Sequence, residues 1–369
     1  MTDSTSLPTA GPAGGKDILT IEQQEVAGLS QGAIIRRRFF RHKGAMIGMV
    51  VLLFIIVLAY SSVGFDVFGF KIPGWYPHSY TDHFDIMNPQ GAPTWVLPFD
   101  FGPFPFGQSD IGEDIFARVM RGTQQSIVVM VIFGAVAGFL GIVIGAIAGF
   151  YGRWVDAVLM RATDVIIIIP TIILFAVLGR AVGSLGAPML ALVLGVFGWT
   201  GLARLVRGEF LALREREFVD AARVAGASDS RILFKHVLPN AVGVAIVTIS
   251  LVMSGAIITE AALSFLGVGV QPPDVSLGQL LNRYEQSFQS RPWLFWWPGL
   301  FIIVIALCVN FIGDGLRDAF DPRQRRMPGK KGPWREAWDW ITTRGRGAKP
   351  APKPDVADSG AEPALRGAP

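Results

Sequence analysis

The sequence predicts an all-α polytopic membrane protein with six transmembrane helices and with both termini in the cytoplasm. Of its 369 residues, 51% are hydrophobic and only 17% are charged, an imbalance typical of membrane proteins. Apolar runs of about 20 residues recur, and at about 1.5 Å per residue such a run crosses a hydrocarbon layer roughly 30 Å thick. Lys and Arg concentrate on alternate sides of these runs, as expected for loops that stay in the cytoplasm.

The first predicted span covers residues 45–63 and follows an N-terminal segment, 1–44, in which we expect a short interfacial helix over 18–29. The run is too long for the core of a signal peptide, and no small-x-small cleavage site follows it, so we interpret it as a retained helix. The basic residues before it place the N-terminus in the cytoplasm: Arg36, Arg37, Arg38, Arg41 and Lys43.

Residues 64–123 are predicted to form an extracytoplasmic insert, which is rich in Pro, Gly and aromatic residues and contains few basic ones. Four side chains of a type that binds metals occur near one another in it: His78, Asp82, His83 and Asp85. They lack a metal-binding spacing such as H-E-x-x-H, so we interpret them as scattered loop residues, with a metal site as the alternative.

Five further spans are predicted in a core of residues 124–313: 125–150, 163–182, 187–206, 241–266 and 294–313. In the second span, glycines at steps of three and four fall on one helical face: Gly134, Gly138, Gly141, Gly145 and Gly149. This face predicts close helix packing, and a sliding or dimer interface is the functional alternative. Pro170 predicts a kink in the third span, with a gating hinge as its functional interpretation. Cys308 is the single cysteine, so no internal disulfide is expected.

Glu260 is an acidic residue inside the fifth predicted span. A charge near the bilayer centre costs roughly 2.5–3.5 kcal/mol on insertion scales, so its side chain should face protein or water. It either lines a translocation path or joins two helices as a neutral or paired carboxylate. Asp164 and Arg204 lie near predicted cytoplasmic ends, where snorkelling accounts for them.

A charged segment, residues 217–239, interrupts the apolar sequence between the fourth and fifth spans. A first helix starts near Glu217 and has a face of small residues, and Gly226 predicts a turn after it. Ser228 or Asp229 can cap a second helix, which is predicted to end at Pro239. Basic residues beside and within the segment place it in the cytoplasm: Arg207, Arg214, Arg216, Arg223, Arg231 and Lys235. Such a helix–turn–helix suits a docking surface.

The segment resembles the coupling loop of ABC importer permease subunits, and we call residues 217–239 the coupling loop. The family signature is matched at Ala221, Ala222, Gly226, Leu238 and Pro239. Asp220 replaces the usual Glu, and His236 stands where an apolar residue is usual. The stretches KHVLPN, TEAALSFLGVGVQPP (259–273) and NFIGDGLRDAFDPR (310–323) resemble the oligopeptide/dipeptide (peptide/nickel) branch, C-type subunit, and the likeness covers roughly residues 36–323.

The resemblance implies the type I ABC importer permease fold in a bacterial plasma (inner) membrane and the import of peptides. It implies a homologous permease subunit, two ABC ATPase subunits or domains and an extracytoplasmic binding protein as partners. ATP and Mg²⁺ would be used by the ATPase subunits and no cofactor by this chain, which has no G-x-x-x-x-G-K-[ST] phosphate loop. The implied coupling residues are Glu217, Asp220, Ala221, Ala222, Gly226, Ser228, Arg231, His236, Leu238 and Pro239.

The end of the insert resembles the family segment Gly-Thr-Asp-x-x-Gly-Arg-Asp, and Glu113 stands at the position of its Arg. The insert as a whole is interpreted as a docking surface for a binding protein, or as an inert folded loop. The basic residues lie beside the spans, which favours a membrane surface over nucleic acid as their partner.

The tail, 314–369, contains a Trp-rich face that predicts an interfacial helix or a solvated tail, formed by Trp334, Ala337, Trp338 and Ile341. From about residue 345 the composition predicts disorder.

Two other functions are considered. An ion-coupled secondary transporter would use Glu260 as its ion site and would need no ATPase. A membrane-embedded enzyme lacks a paired acid/base or metal-binding group within the spans, and we rank it last. Neither the substrate nor the direction of transport follows from charge and hydropathy.

Overall fold

The computed structural model describes residues 31–67, 70–94 and 102–320, which belong to one compact unit, Met1–Asp321. The predictions for residues 18–29 and for the tail from 321 onward lie outside these residues. Four described helices are long and apolar enough to cross a membrane, and two bent helix pairs raise the number to six if each pair counts as one span. The prediction of a largely helical membrane protein is confirmed.

Helix α1 (Gln31–Arg41) is followed by α2 (Lys43–Ser62), the first span. Between them, His42 caps α2 because its Nδ1 atom accepts a hydrogen bond from the Ala45 amide at 3.0 Å. A small antiparallel sheet follows, in which β1 (Phe65–Val67) pairs with β2 (Phe70–Ile72). The all-α prediction is therefore wrong at this point, because two short runs of aromatic and β-branched residues favour extended backbone.

Helix α3 (Ile115–Tyr151) begins ten residues before the predicted span 125–150. Asp114 caps its first turn by accepting a hydrogen bond from the Ala117 amide at 3.2 Å. Hydropathy missed the first turns because they carry the polar side chains of Arg118, Arg121 and Gln124. All three are paired or hydrogen-bonded within the protein, and Arg118 and Gln124 are buried.

The third and fourth predicted spans are both bent. Helices α4 (Arg153–Ile168) and α5 (Thr171–Val182) meet at an 82° bend, which is a break and not a kink within one helix. Pro170 explains it, because a proline disfavours helical backbone in the preceding residue and Ile169 is extended. Helices α6 (Ala187–Gly198) and α7 (Thr200–Arg214) meet at a 43° bend, and α7 extends beyond the predicted end at 206.

The coupling loop contains α8 (Glu217–Val224) and the beginning of α9 (Asp229–Phe265). The prediction that Pro239 ends the second helix is wrong, because α9 continues through it into the fifth span. A π-helical stretch, Ile232–Val237, ends two residues before the proline. Proline has no backbone N–H to donate, so the regular helical hydrogen-bond pattern is interrupted here. The wider turn of the π-helix accommodates this interruption.

The last two described helices are α10 (Leu277–Tyr284) and α11 (Trp293–Phe320). In the part of the chain that the structure describes, three buried apolar clusters hold the helices together. The first joins α2, α3, α10 and α11, and the second joins α3, α5 and α6. The third joins α3 and α7 to α8 and the start of α9, so the coupling loop is part of the packed protein.

The glycine face of α3 packs against two helices of this chain. Gly134 and Gly138 lie beside Met253 and Ile249 of α9. The three following glycines, Gly141, Gly145 and Gly149, lie beside Leu202, Val206 and Phe210 of α7. Toward α7 the backbones approach closely, because Gly145 and Gly149 lie beside backbone atoms of Ala203 and Arg207, as the packing interpretation of these glycines expects. Toward α9 the glycines leave room for the side chains of Met253 and Ile249.

Candidate functional site: the coupling loop

One face of the coupling loop is anchored in the third apolar cluster. Val219 of α8 and Ile232 and Val237 of α9 are fully buried, and they pack in the same cluster as Val206 and Phe210 of α7. Burying a large aliphatic side chain contributes roughly 1.5–3 kcal/mol. The loop is therefore fixed firmly to the helices that enter and leave it.

The opposite face of the loop presents apolar side chains to the outside. Val224, at the end of α8, is 91% exposed, and Phe234 is 65% exposed. Phe218 at the start of α8 is also exposed. Large apolar side chains exposed on an otherwise charged segment are typical of an interaction surface.

The predicted turn is present between α8 and α9. Gly226 has a φ of +78°, which glycine adopts without strain. Its amide donates to the carbonyl of Arg223 at 2.9 Å, and the Ala227 amide donates to the carbonyl of Ala222 at 3.0 Å. These bonds satisfy carbonyls at the end of α8, a common way of ending a helix at glycine. A side chain at Gly226 would meet nothing within 4 Å, so the space around the turn is open.

The ten predicted coupling residues divide between the two faces. The exposed ones are Glu217, Asp220, Ala221, Gly226, Ser228, Arg231 and Pro239. Ala222, His236 and Leu238 are half-buried, and both Ala222 and Leu238 pack against the third cluster. Ser228 occupies the capping position of α9, but its hydroxyl lies 3.3 Å from that of Ser230 and caps no amide. Asp220 pairs with Arg223 at 3.5 Å.

Comparison with protein families identifies the chain. Residues 141–326 match the family described as binding-protein-dependent transport system inner membrane component. Residues 30–93 match the N-terminal TM domain of oligopeptide transport permease C. The chain belongs to this permease family. It is thus a non-enzymatic membrane component of an ABC transporter, located in the inner membrane.

Curated relatives cover most of the chain. The oligopeptide transport system permease protein OppC of Mycobacterium tuberculosis is 36% identical over 301 residues, which are 81% of this chain and 97% of the relative. A putative peptide permease protein of Brucella ovis is 39% identical over 290 residues, covering 78% and 89% of the two chains. OppC of Haemophilus influenzae is 35% identical over 317 residues, covering 83% and 93%.

Glu260 of the permease is fully buried and joins α9 to α3. Its carboxylate accepts hydrogen bonds from the hydroxyls of Ser126 at 3.0 Å and Ser264 at 2.8 Å. Both carboxylate oxygens are thereby occupied within the chain. This geometry favours the helix-joining interpretation over that of a path-lining residue.

Outside the spans, Glu113 is the centre of a charged cluster that sequence reasoning missed. It pairs with Arg118 and with Arg283, the latter at 3.1 Å, and accepts a hydrogen bond from Tyr284 at 3.0 Å. Burial raises the pKa of Glu113, but the two guanidinium groups and Tyr284 lower it more, so the net pKa is below its ordinary value. Burial and the Glu113 charge raise the pKa of Tyr284 to about 12.

The neighbouring Asp114 holds the insert against α3. Its Oδ2 atom accepts a hydrogen bond from the Tyr76 hydroxyl at 2.6 Å and lies 2.7 Å from Nδ1 of His78. Burial raises the pKa of Asp114, although these hydrogen bonds oppose the shift. Within residues 31–67, 70–94 and 102–320, no group of three metal-binding side chains occurs, so the metal alternative for the insert gains no support.

Two ion pairs connect α4 with α7. Arg207 contacts both carboxylate oxygens of Asp156, with Nη2 2.6 Å from Oδ2. Nη2 of Arg204 lies 2.5 Å from Oδ1 of Asp164. The sequence interpretation treated Arg204 and Asp164 as separate snorkelling residues, but they bind each other. We call these two pairs the α4–α7 clamp.

Proposed function

We propose that this chain is a transmembrane permease subunit of an ATP-driven importer of di- or oligopeptides. The proposed topology has six spans, with each bent helix pair crossing once and both termini in the cytoplasm. Support for the topology comes from the six apolar helical units and the distribution of basic residues. Support for peptides comes from the relatives, which are named as oligopeptide or peptide permeases.

The observation that carries the proposal is the two-sided coupling loop. Its inner face is buried with α3 and α7, and its outer face exposes Val224 and Phe234. A partner that binds the outer face can therefore move the transmembrane helices through the inner face. We propose that two ATPase subunits dock at this loop and at the matching loop of a homologous permease.

In the proposed mechanism, ATP and Mg²⁺ bind only to the ATPase subunits. ATP binding draws these subunits together, and the coupling loops move with them. The movement opens the path between the two permeases toward an extracytoplasmic binding protein, which delivers the peptide. The chain itself supplies the path and the mechanical connection.

The ion-coupled alternative is not favoured. It requires Glu260 to exchange an ion with water, yet this side chain is fully buried and bonded to two serines. Membership in a family of binding-protein-dependent permeases also argues against it.

The function is tested by uptake of a labelled peptide into proteoliposomes that contain the complete complex and an added binding protein. We expect uptake that requires ATP inside the vesicle and continues when ionophores dissipate the proton and sodium gradients. Uptake that requires such a gradient and ignores ATP would contradict the proposal. Omission of the binding protein is the matched control and should abolish uptake.

A further inference from the structure

Helix α4 contributes few buried residues to the apolar core of the protein. Thr163 is the single buried residue among its 16, all of which the structure describes. Large side chains of α4 point outward instead, with Trp154 74%, Val158 58% and Val165 65% exposed. Since packing of an apolar face normally supplies most helix stability in proteins, little holds the length of α4 in place by packing.

Both ends of α4 are breaks in the helical backbone. At its beginning, Gly152 and Arg153 have φ values of +64° and +50°, so the direction of α3 does not continue into α4. A positive φ is uncommon for a residue other than glycine. At its end, Ile169 and Pro170 form the 82° bend to α5. Helix α4 is thus separated from α3 and α5 by a break in the helical backbone at each end, and we refer to it below as the arm.

The α4–α7 clamp holds this arm. Arg207 binds Asp156 through two nitrogen–oxygen contacts, the arrangement in which Arg–carboxylate pairs are strongest. The Asp156 side chain is 17% exposed and that of Arg207 is 33% exposed, so the pair is only partly open to solvent. The Arg204–Asp164 pair lies further along the arm and is more exposed.

Helix α7, which carries both arginines, leads directly into the coupling loop. Only Glu215 and Arg216 separate its last residue from α8. Arg214 of α7 also donates to the carbonyls of Gly149 and Phe150 at the end of α3, at 3.4 and 3.3 Å. Movement of the coupling loop can therefore pass directly to α7.

We propose that Asp156 and Asp164 are positioning residues that make α4 follow α7 when the coupling loop moves. Through the clamp, displacement of α7 carries α4 and, beyond the bend at Pro170, the attached α5. Breaking the clamp uncouples the arm without removing the coupling loop. The inference deepens the proposed function and rests on it.

The test uses the complete complex in proteoliposomes and measures peptide uptake per ATP hydrolysed. We expect Asp156→Asn and Arg207→Gln each to lower this ratio by about fivefold, within the range by which residues along coupling networks act. The exchanged pair, Asp156→Arg with Arg207→Asp, should restore the ratio to within about twofold, because it restores the attraction between α4 and α7. A merely structural loss would lower uptake and hydrolysis together.

Arg161→Gln is the matched control. It changes one charge on the same helix, at an exposed side chain for which the described structure shows no ion pair, and should leave the ratio unchanged. An unchanged ratio in Asp156→Asn overturns the inference. The inference is also overturned if the exchanged pair fails to assemble or does not regain coupling. This outcome counts against it even if the single variants do not assemble. Absence of ATP-dependent uptake in the parent complex contradicts the proposed function itself, whereas normal parent uptake with unaltered variants contradicts only the clamp.

Discussion

Glu113 is a buried acid whose charge is balanced by two bases from different parts of the chain. The family pattern has an arginine at this position, so Glu113 reverses the charge expected there. In the structure, Arg118 and Arg283 both approach Glu113, and the Tyr284 hydroxyl donates to it. The acid thereby ties the beginning of α3 to α10.

We predict that Glu113→Gln destabilises the protein by about 3 kcal/mol at neutral pH, because it leaves a largely buried Arg118 without its counter-charge. The pKa of Glu113 is lowered in the folded protein. Its contribution is therefore present above the ordinary glutamate pKa of about 4.3 and is lost as the pH falls through the lower folded pKa. Thermal unfolding of the purified protein between pH 7 and pH 3 should show the two proteins converging at acid pH.

Asp110→Asn is the control for this experiment. It removes an acid three residues away whose side chain is exposed, so its effect should stay within about 0.5 kcal/mol. The account of Glu113 is wrong if Glu113→Gln unfolds like the parent protein, or if the difference between them does not change with pH.

At the scale of helices, the glycine face of α3 leaves no space for a side chain where α3 contacts α7. A Cβ atom at Gly145 would lie 2.5 Å from the carbonyl oxygen of Ala203 and 2.8 Å from the Cβ of Val206. We expect Gly145→Leu to force α3 and α7 apart, at a cost of at least the 1–3 kcal/mol typical of overpacking. Thermal unfolding and complex assembly measure this.

Gly208→Leu provides the comparison, since a Cβ there would meet nothing within 4 Å in this chain. It should leave the unfolding of the isolated chain nearly unchanged. Equal unfolding temperatures for the two variants would show that the glycine face does not determine packing.

The two prolines show what the sequence can predict about helices and what it cannot. Both Pro170 and Pro239 favoured an interruption, yet α4 ends near Pro170 whereas α9 continues through Pro239. The residues before Pro239 are buried in the third apolar cluster, and a π-helical turn accommodates the proline. Little packing restrains the end of α4. Tertiary contacts, which the local sequence does not contain, decide between these outcomes.

The local features of the candidate site could be predicted from the sequence, whereas its long-range contacts could not. The turn at Gly226 and the helices around it follow from local residue preferences, and the structure has them. With the exception of Arg118, the arginines that pair with Asp156, Asp164 and Glu113 lie 40 to 170 positions away from them. No local pattern connects such partners, so the sequence indicated charged residues without indicating their pairing.

Across the whole molecule, the proposed function depends on a continuous connection from the cytoplasm to the spans. In the proposed mechanism, the exposed face of the coupling loop receives the partner. Its buried face packs with α3 and α7 and continues into α9, which provides the connection to the spans. The proposed role of the α4–α7 clamp extends this connection to the third span. The charged cluster around Glu113 joins the other end of α3 to α10.

Binding of an ATPase subunit to the outer face of the coupling loop is central to the proposed function. It is tested most directly by placing a photoreactive p-benzoylphenylalanine at Val224, which is 91% exposed, and irradiating membranes that contain the complete complex. The same residue at Phe70, 78% exposed in β2, is the matched control, which the proposed topology places on the opposite side of the membrane. We predict a crosslink to the ATPase subunit from position 224 and none from position 70. No ATPase crosslink from position 224, or equal yields from both positions, would contradict the account.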